Sequence, residues 1–232
     1  MQPLSIQIQT VDYCNRKCHF CPNSVIEKAG TLTMPDEIFD KILADLKDID
    51  FKGGIHPYLM GEPLTDVKIA EKVKKIRSIF PENVIYLSTN GDYLTTELIE
   101  NLIDAGITWF GVSHYDSKNQ HLIKLTKKYG NIVHTSLGRL RHSFYNRGGN
   151  VKIGCIIPRQ KCEWIFEKAY INYKGDVILC CSDYKYEVVF GNVLDDSFDR
   201  IYNSKEYNRY RDFHSQQRGK ELKLCRNCNR IN

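Results

Sequence analysis

Hydrophobic and polar positions alternate in two rhythms along the first two thirds of the chain. Short runs at residues 4–11, 55–60, 83–88, 107–113 and 132–137 are rich in β-branched, aromatic and aliphatic side chains and read as strands. Helical spacing separates them. A segment over about 34–46 carries Pro35 in its first turn and apolar residues at Ile38, Leu43 and Leu46. A second covers 65–79, and a third is capped by Thr95 or Thr96 and stops at Ala105-Gly106. Repeated βα units with short connections predict a parallel sheet with right-handed crossovers. About six of them would form an α/β fold of the partial (β/α)6 TIM-like barrel type, with its chemistry at the C-terminal ends of the strands.

The rhythm changes near residue 150. Residues 169–172 and 176–180 flank Tyr173-Lys174-Gly175 and read as a β-hairpin with glycine at the turn. A polar helix over about 198–213 follows, and then Leu224-Cys225-Arg226-Asn227-Cys228-Asn229-Arg230. The expected organisation is a barrel domain over 1–150 and a small C-terminal β-hairpin plus helix subdomain over 151–232.

Composition narrows the class of protein. A chain of 232 residues suits one barrel-type α/β domain with an appendage, and 42% hydrophobic with 26% charged residues is ordinary for a globular protein. The net charge of +5 is mild and spread out, so nucleic-acid binding is not demanded, while an acidic or phosphorylated substrate is tolerated. The first residues lack the pattern of a secretory signal, and no apolar run approaches the ~20 residues that cross a bilayer. A cytoplasmic protein with no membrane partner is expected. In a reducing compartment, nine cysteines point to metal binding or catalysis rather than disulfides.

Three of them, Cys14, Cys18 and Cys21, form Cys-x3-Cys-x2-Cys in the loop after the first strand. Three thiolates can hold three irons of a cubane cluster and leave the fourth iron open to an exogenous ligand. Zinc fits this loop poorly, because structural zinc takes four protein ligands, usually in paired knuckles.

The segment Cys14-Asn15-Arg16-Lys17-Cys18-His19-Phe20-Cys21 resembles the signature of the radical S-adenosylmethionine superfamily, including the aromatic Phe20 before the last cysteine. The resemblance implies that the open iron chelates S-adenosylmethionine and that an electron from the cluster splits it to a 5'-deoxyadenosyl radical. Gly61-Glu62-Pro63 resembles the motif that hydrogen-bonds the methionine amino group. Ser88-Thr89-Asn90-Gly91 and Ser113-His114-Tyr115-Asp116 resemble loops that line the ribose and substrate. Phe20, Gly61, Glu62, Asn90 and Ser113 are therefore the implied cofactor-binding residues. Read alone, Gly-Glu-Pro and Asn-Gly are ordinary turn chemistry.

Cys162, Cys180, Cys225 and Cys228 make a natural second set, a closed four-thiolate site for which zinc and an iron–sulfur cluster compete on spacing alone. Gly191-Asn192-Val193, the polar helix and Cys225-x2-Cys228 resemble a twitch domain, the shortened form of the SPASM domain, which implies one auxiliary cluster and two [4Fe-4S] clusters in all. Cys180 and Cys181 are neighbours, and adjacent strand residues face opposite ways, so only one should reach that cluster. Cys180 completes the Gly175-x4-Cys180 spacing. Cys181 and Cys155 are left over. Cys155, within residues 151–157, reads as a small buried hydrophobe or as a hydrogen-atom donor.

The whole pattern, with Cys21-Pro22-Asn23-Ser24-Val25 and Asn146-Arg147-Gly148-Gly149, is similar to the twitch-bearing branch of the superfamily that oxidises an alcohol. That likeness implies Arg147 beside the reacting hydroxyl, an auxiliary cluster that accepts the second electron, and a flavodoxin or ferredoxin as electron donor. Arginine stays protonated, so its role would be orientation and stabilisation of developing alkoxide. The chain departs from that branch at Leu59-Met60, Ser88 and Cys181-Ser182, which are pocket positions. The expected reaction is oxidation of an alcohol on a sugar, cyclitol or nucleoside. The alternatives are a peptide-modifying maturase, a redox-neutral epimerase using Cys155 or Cys181, and a non-enzymatic metal-stabilised binding module.

Overall fold

Strand β1 (Ser5–Ile8) sends Ile6 and Ile8 into the apolar core, and Ser5 and Gln7 to its opposite face. In this computed structural model, which describes residues 1–27, 32–115, 119–135, 145–153 and 161–231, that division of faces sets the architecture. Cys155, Asp116 and the last two positions of the strand read over 132–137 lie outside the described residues.

Helix α1 (Asp36–Asp48) covers the apolar face with Ile38, Phe39, Ile42, Leu43 and Leu46. The chain continues through β2 (Gly54–His56), α2 (Ile69–Ile79), β3 (Tyr86–Thr89), α3 (Thr96–Asp104), β4 (Trp109–Val112), α4 (Gln120–Lys128) and β5 (Val133–Thr135). Thr95 caps α3, its side chain accepting from the Leu98 amide at 3.1 Å, and Ala105-Gly106 ends it with Gly106 at φ +95°. Helix α4 has no counterpart in the sequence reading. It buries only Leu122 and Leu125, and Asn119 caps it.

The expected open α/β sheet is present, and it does not close into a barrel. Strand β1 pairs in parallel with β2 on one side and with β6 (Lys168–Ile171) on the other. Strands β7 (Asp176–Ile178) and β8 (Val189–Asn192) extend that sheet antiparallel. Strands β3, β4 and β5 form a second parallel sheet, joined to β2 by the bridge Ile55–Ile85. The hairpin is thus built into the sheet, because β6 supplies a further parallel strand beside β1.

The single polar helix expected over 198–213 is two helices, α6 (Phe198–Tyr202) and α7 (Lys205–Ser215). Ser204 interrupts it by accepting from the Tyr207 amide at 3.2 Å, an N-cap that starts α7. A four-residue helix α5 (Trp164–Glu167) leads into β6.

The concave face of the sheet is polar and aromatic. His56, Tyr58, Tyr86, Trp109 and His134 pack ring against ring across it, edge-on or stacked, with Tyr86 and Trp109 ring centres 3.9 Å apart. Gly111 makes room for this layer, since a Cβ there would stand 2.1 Å from the Tyr86 hydroxyl. Beyond it, toward the C-terminal ends of the strands, the face opens into a cavity. Among the described residues, no helix is long and apolar enough to cross a membrane.

Candidate active site

The cavity has a volume of about 320 Å³ and is walled on one side by Cys14, Cys18 and Cys21. Their loop is closed at its base by two backbone hydrogen bonds, Asp12 to Leu32 at 2.7 Å and Met34 to Thr10 at 2.8 Å. Within it the Cys21 amide donates to the Cys18 carbonyl at 2.8 Å, and Pro22–Ser24 forms a tight turn. The residues between the first two cysteines anchor the loop to the end of β3. Asn15 donates to Asp92 at 2.7 Å, and the Arg16 guanidinium grips the same carboxylate through two nitrogens, one at 2.6 Å. The Arg16 hydrogen bond holds the Asp92 carboxyl below its usual range. Asn90 donates to Asn15 at 2.8 Å, and its amide nitrogen lies 3.9 Å from the Cys14 sulfur.

Gly61 lies against this loop so closely that a Cβ would meet the Val11 carbonyl oxygen at 2.2 Å. The next amide, Glu62, donates to the Tyr13 carbonyl at 2.7 Å. The buried Glu62 carboxylate takes hydrogen bonds from Thr89 Oγ1 at 2.5 Å, the Asn90 amide at 2.8 Å and the Leu64 amide at 3.2 Å. Burial raises its pKa above the ordinary value in spite of these donors. With its oxygens so engaged, Glu62 fixes the mouth of the cavity. Phe20 and Ser113 also line it, and the Phe20 ring centre is 5.3 Å from that of Tyr115. All five residues singled out for cofactor binding therefore border one space.

Burial pushes the Cys14 thiol up to about 11, with Glu62, Cys21 and Cys18 adding to the effect, and burial raises Cys18 as well. Three crowded thiols become thiolates only when a cation compensates them, which is what a metal ligand set does. Among the described residues no three Cys, His, Asp or Glu side chains close on one ion-sized point. The sulfurs border a space, as an all-thiolate cluster site requires.

The second cysteine set converges elsewhere. Cys162, Cys180, Cys225 and Cys228 line one apolar cavity with Trp164, Ile165, Leu179 and Leu224. The Cys228 amide donates to the Cys225 carbonyl at 3.0 Å in a tight turn, and His214 Nε2 is 3.4 Å from the Cys225 sulfur. Burial, then the neighbouring Cys162 and Cys228, pushes Cys225 up to about 12. Cys180 faces this cavity, whereas Cys181 faces the larger one.

A short segment ties the two cavities together. Asn146 and Asn229 exchange a reciprocal pair of backbone-to-side-chain bonds at 2.9 and 3.0 Å, and Asn146 also donates to the Asn227 carbonyl at 2.7 Å. Gly148 and Gly149 have φ of +68° and +91°, and a Cβ on Gly149 would meet Asn227 at 2.8 Å. Even Arg147 adopts a left-handed φ of +50°. That backbone aims its side chain into the larger cavity, where it donates to the Tyr145 hydroxyl at 2.7 Å and stacks on that ring.

Sequence reasoning missed much of the inner wall, namely Gln7, Tyr58, Trp164, Lys168, Tyr170 and Tyr184. The available signal was alternation, since Gln7 sits between Ile6 and Ile8 on β1 and is paired in register with Tyr170 on β6.

Comparison with known proteins adds to this geometry. Residues 8–139 match the Radical SAM superfamily, and residues 162–229 match SPASM, an iron-sulfur cluster-binding domain. A relative from Niallia circulans, the S-adenosyl-L-methionine-dependent 2-deoxy-scyllo-inosamine dehydrogenase, is 24% identical over 97% of this chain and 92% of its own. The crystal structure of BtrN in complex with AdoMet and 2-DOIA superposes with a TM-score of 0.88 at 25% identity, covering 99% of this chain and 94% of that one. A GTP 3',8-cyclase from Microcystis aeruginosa is 30% identical, over 47% of this chain and 33% of its own.

Proposed function

The chain belongs to the radical S-adenosylmethionine superfamily, and from that premise we propose that it oxidises an alcohol on a small polar molecule such as a sugar, cyclitol or nucleoside. It is a homologue of a radical dehydrogenase and carries a SPASM-type iron–sulfur domain, so S-adenosylmethionine and iron–sulfur clusters are its implied cofactors. The proposal is two [4Fe-4S] clusters, held by Cys14, Cys18 and Cys21 and by Cys162, Cys180, Cys225 and Cys228. When bound, these groups would supply a 5'-deoxyadenosyl radical to take the carbinol hydrogen and an acceptor for the second electron as the ketone forms.

The protein's own residues supply the positioning. Gly61 lets the backbone approach the cysteine loop, and Glu62 locks Thr89 and Asn90 beside it. Arg147, short of any carboxylate partner among the described residues, orients the reacting hydroxyl and stabilises negative charge as its proton leaves for solvent. A small flavodoxin or ferredoxin is the proposed electron donor. The observation that carries this reading is the pair of thiol sets on two cavities, with Arg147 and Cys181 facing the larger one beside Cys14, Cys18 and Cys21.

Release of 5'-deoxyadenosine by the reduced, reconstituted protein tests it. Replacing Cys14, Cys18 and Cys21 with Ala is expected to abolish release, and continued release would overturn the cofactor assignment. Cys181 supports a second reading, epimerisation, in which its thiol returns a hydrogen atom to the substrate carbon and the resulting thiyl is restored by an external electron and proton. Deuterium from solvent at that carbon would select it over dehydrogenation.

A further inference from the structure

The described residues that line the larger cavity carry an excess of positive charge. Arg16, Arg147 and Lys168 all line it, and Glu62 is the one carboxylate among the described lining residues. Arg16 is satisfied by Asp92, and Glu62 is satisfied by Thr89, Asn90 and Leu64. Arg147 faces the cysteines and can offset thiolate charge. Lys168 has no such explanation. It opens β6, its ammonium lies 5.4 Å from the centre of the Trp164 ring, and it forms no ion pair among the described residues.

Unpartnered polar atoms line the same cavity. Gln7 is 8% exposed and Tyr170 is 1% exposed, yet the Gln7 carbonyl oxygen and the Tyr170 hydroxyl have no hydrogen-bond partner among the described residues. Both line the cavity, two positions along the inner face from Ser5 and Lys168 in the β1–β6 register. A buried polar group left unpaired is costly, so such groups mark where a ligand's own polar atoms belong. The Gln7 oxygen wants a donor such as a ring hydroxyl, the Tyr170 hydroxyl serves either role, and Lys168 wants an anion.

We propose that Lys168, with Gln7 and Tyr170, forms a subsite that selects a hydroxylated substrate bearing an anionic group, a phosphate or a carboxylate, over neutral or amino-bearing analogues. This rests on the oxidoreductase reading above and names the substrate class for that site. An aminocyclitol, cationic at neutral pH, would meet Lys168 and Arg147 with like charge and no free carboxylate.

The test measures binding of four probes to the reconstituted, S-adenosylmethionine-loaded enzyme by calorimetry: myo-inositol 1-phosphate, D-glucuronate, myo-inositol and D-glucosamine. One or both anions are expected to bind about tenfold or more tighter than the neutral and cationic probes, the value of one charge-assisted contact. Which anion wins tells phosphate from carboxylate. Lys168→Met keeps the apolar stem over Trp164 and is expected to erase the preference, and Lys168→Arg to restore it. Equal binding of anionic and neutral probes, tighter binding of glucosamine, no binding of either anion, or an equal loss for all probes in Lys168→Met would overturn the subsite. Reductive release of 5'-deoxyadenosine by the unaltered protein without substrate is followed in the same samples. Its persistence keeps the radical assignment even if the anion preference fails.

Discussion

Cys180 and Cys181 are chemically identical and adjacent, and only the side each faces separates them. Cys180 belongs to the four-thiol cavity and Cys181 to the larger one, so Cys180→Ala is expected to lose about half the bound iron while Cys181→Ala keeps it all. Iron analysis of the two variants checks this, and equal losses would contradict it. Arg147→Lys keeps the charge but gives up the planar fork stacked on Tyr145 and places another side chain at φ +50°. We expect kcat to fall by about a hundredfold, with S-adenosylmethionine affinity unchanged. His56 offers a test by pH. Burial, with Lys168 nearby, holds it down to about 4, so it stays neutral in the fold where the unfolded chain would protonate it below 6.5. The contribution of His56 is therefore expected to be level above pH 6.5 and to fall as pH drops from 6.5 toward 4, by about 2 kcal/mol at pH 5. Urea denaturation at pH 7 and pH 5 should show that slope flattened in His56→Asn, and an unchanged slope would contradict it.

At the scale of elements, the caps and breaks follow short-range rules, and these were the most legible features. Thr95 and Ala105-Gly106 bound α3 where the residue types place a cap and a stop. Ser204 was equally capable of capping, but the continuous polar texture around it hid the break between α6 and α7. Removing its hydroxyl in Ser204→Ala should cost about 1 kcal/mol, read from chemical denaturation. Helix α4 was legible too, since Leu122 and Leu125 stand at helical spacing among lysines behind the Asn119 cap, and the sequence reading passed over it. The inner wall escaped for a different reason. Gln7, Lys168 and Tyr170 look like the exposed side of half-buried strands, and only the pairing of β1 with β6, far apart in sequence, turns that side into a cavity. Gly61 shows the opposite case, a turn-like residue whose necessity is tertiary. Gly61→Ala must displace the Val11 carbonyl, and we expect a loss of about 2–3 kcal/mol in stability together with weaker S-adenosylmethionine binding.

For the whole molecule, the two cysteine sets are joined by a shared sheet and by the Asn146–Asn229 clasp, so each supports the other's geometry. The strand that follows α5 completes the neighbours of β1, which makes the C-terminal third part of the scaffold for the first site. The βα repetition made the open sheet readable from sequence, and the cysteine spacing made the two thiol sets readable. Their arrangement on either side of residues 180 and 181 required the fold. Iron and acid-labile sulfide content of the anaerobically reconstituted protein tests the central claim most directly. The account predicts about eight of each per chain, falling to about four when either cysteine set is replaced by alanine. About four irons in the unaltered protein, or a loss of all iron on removing either set alone, would contradict it.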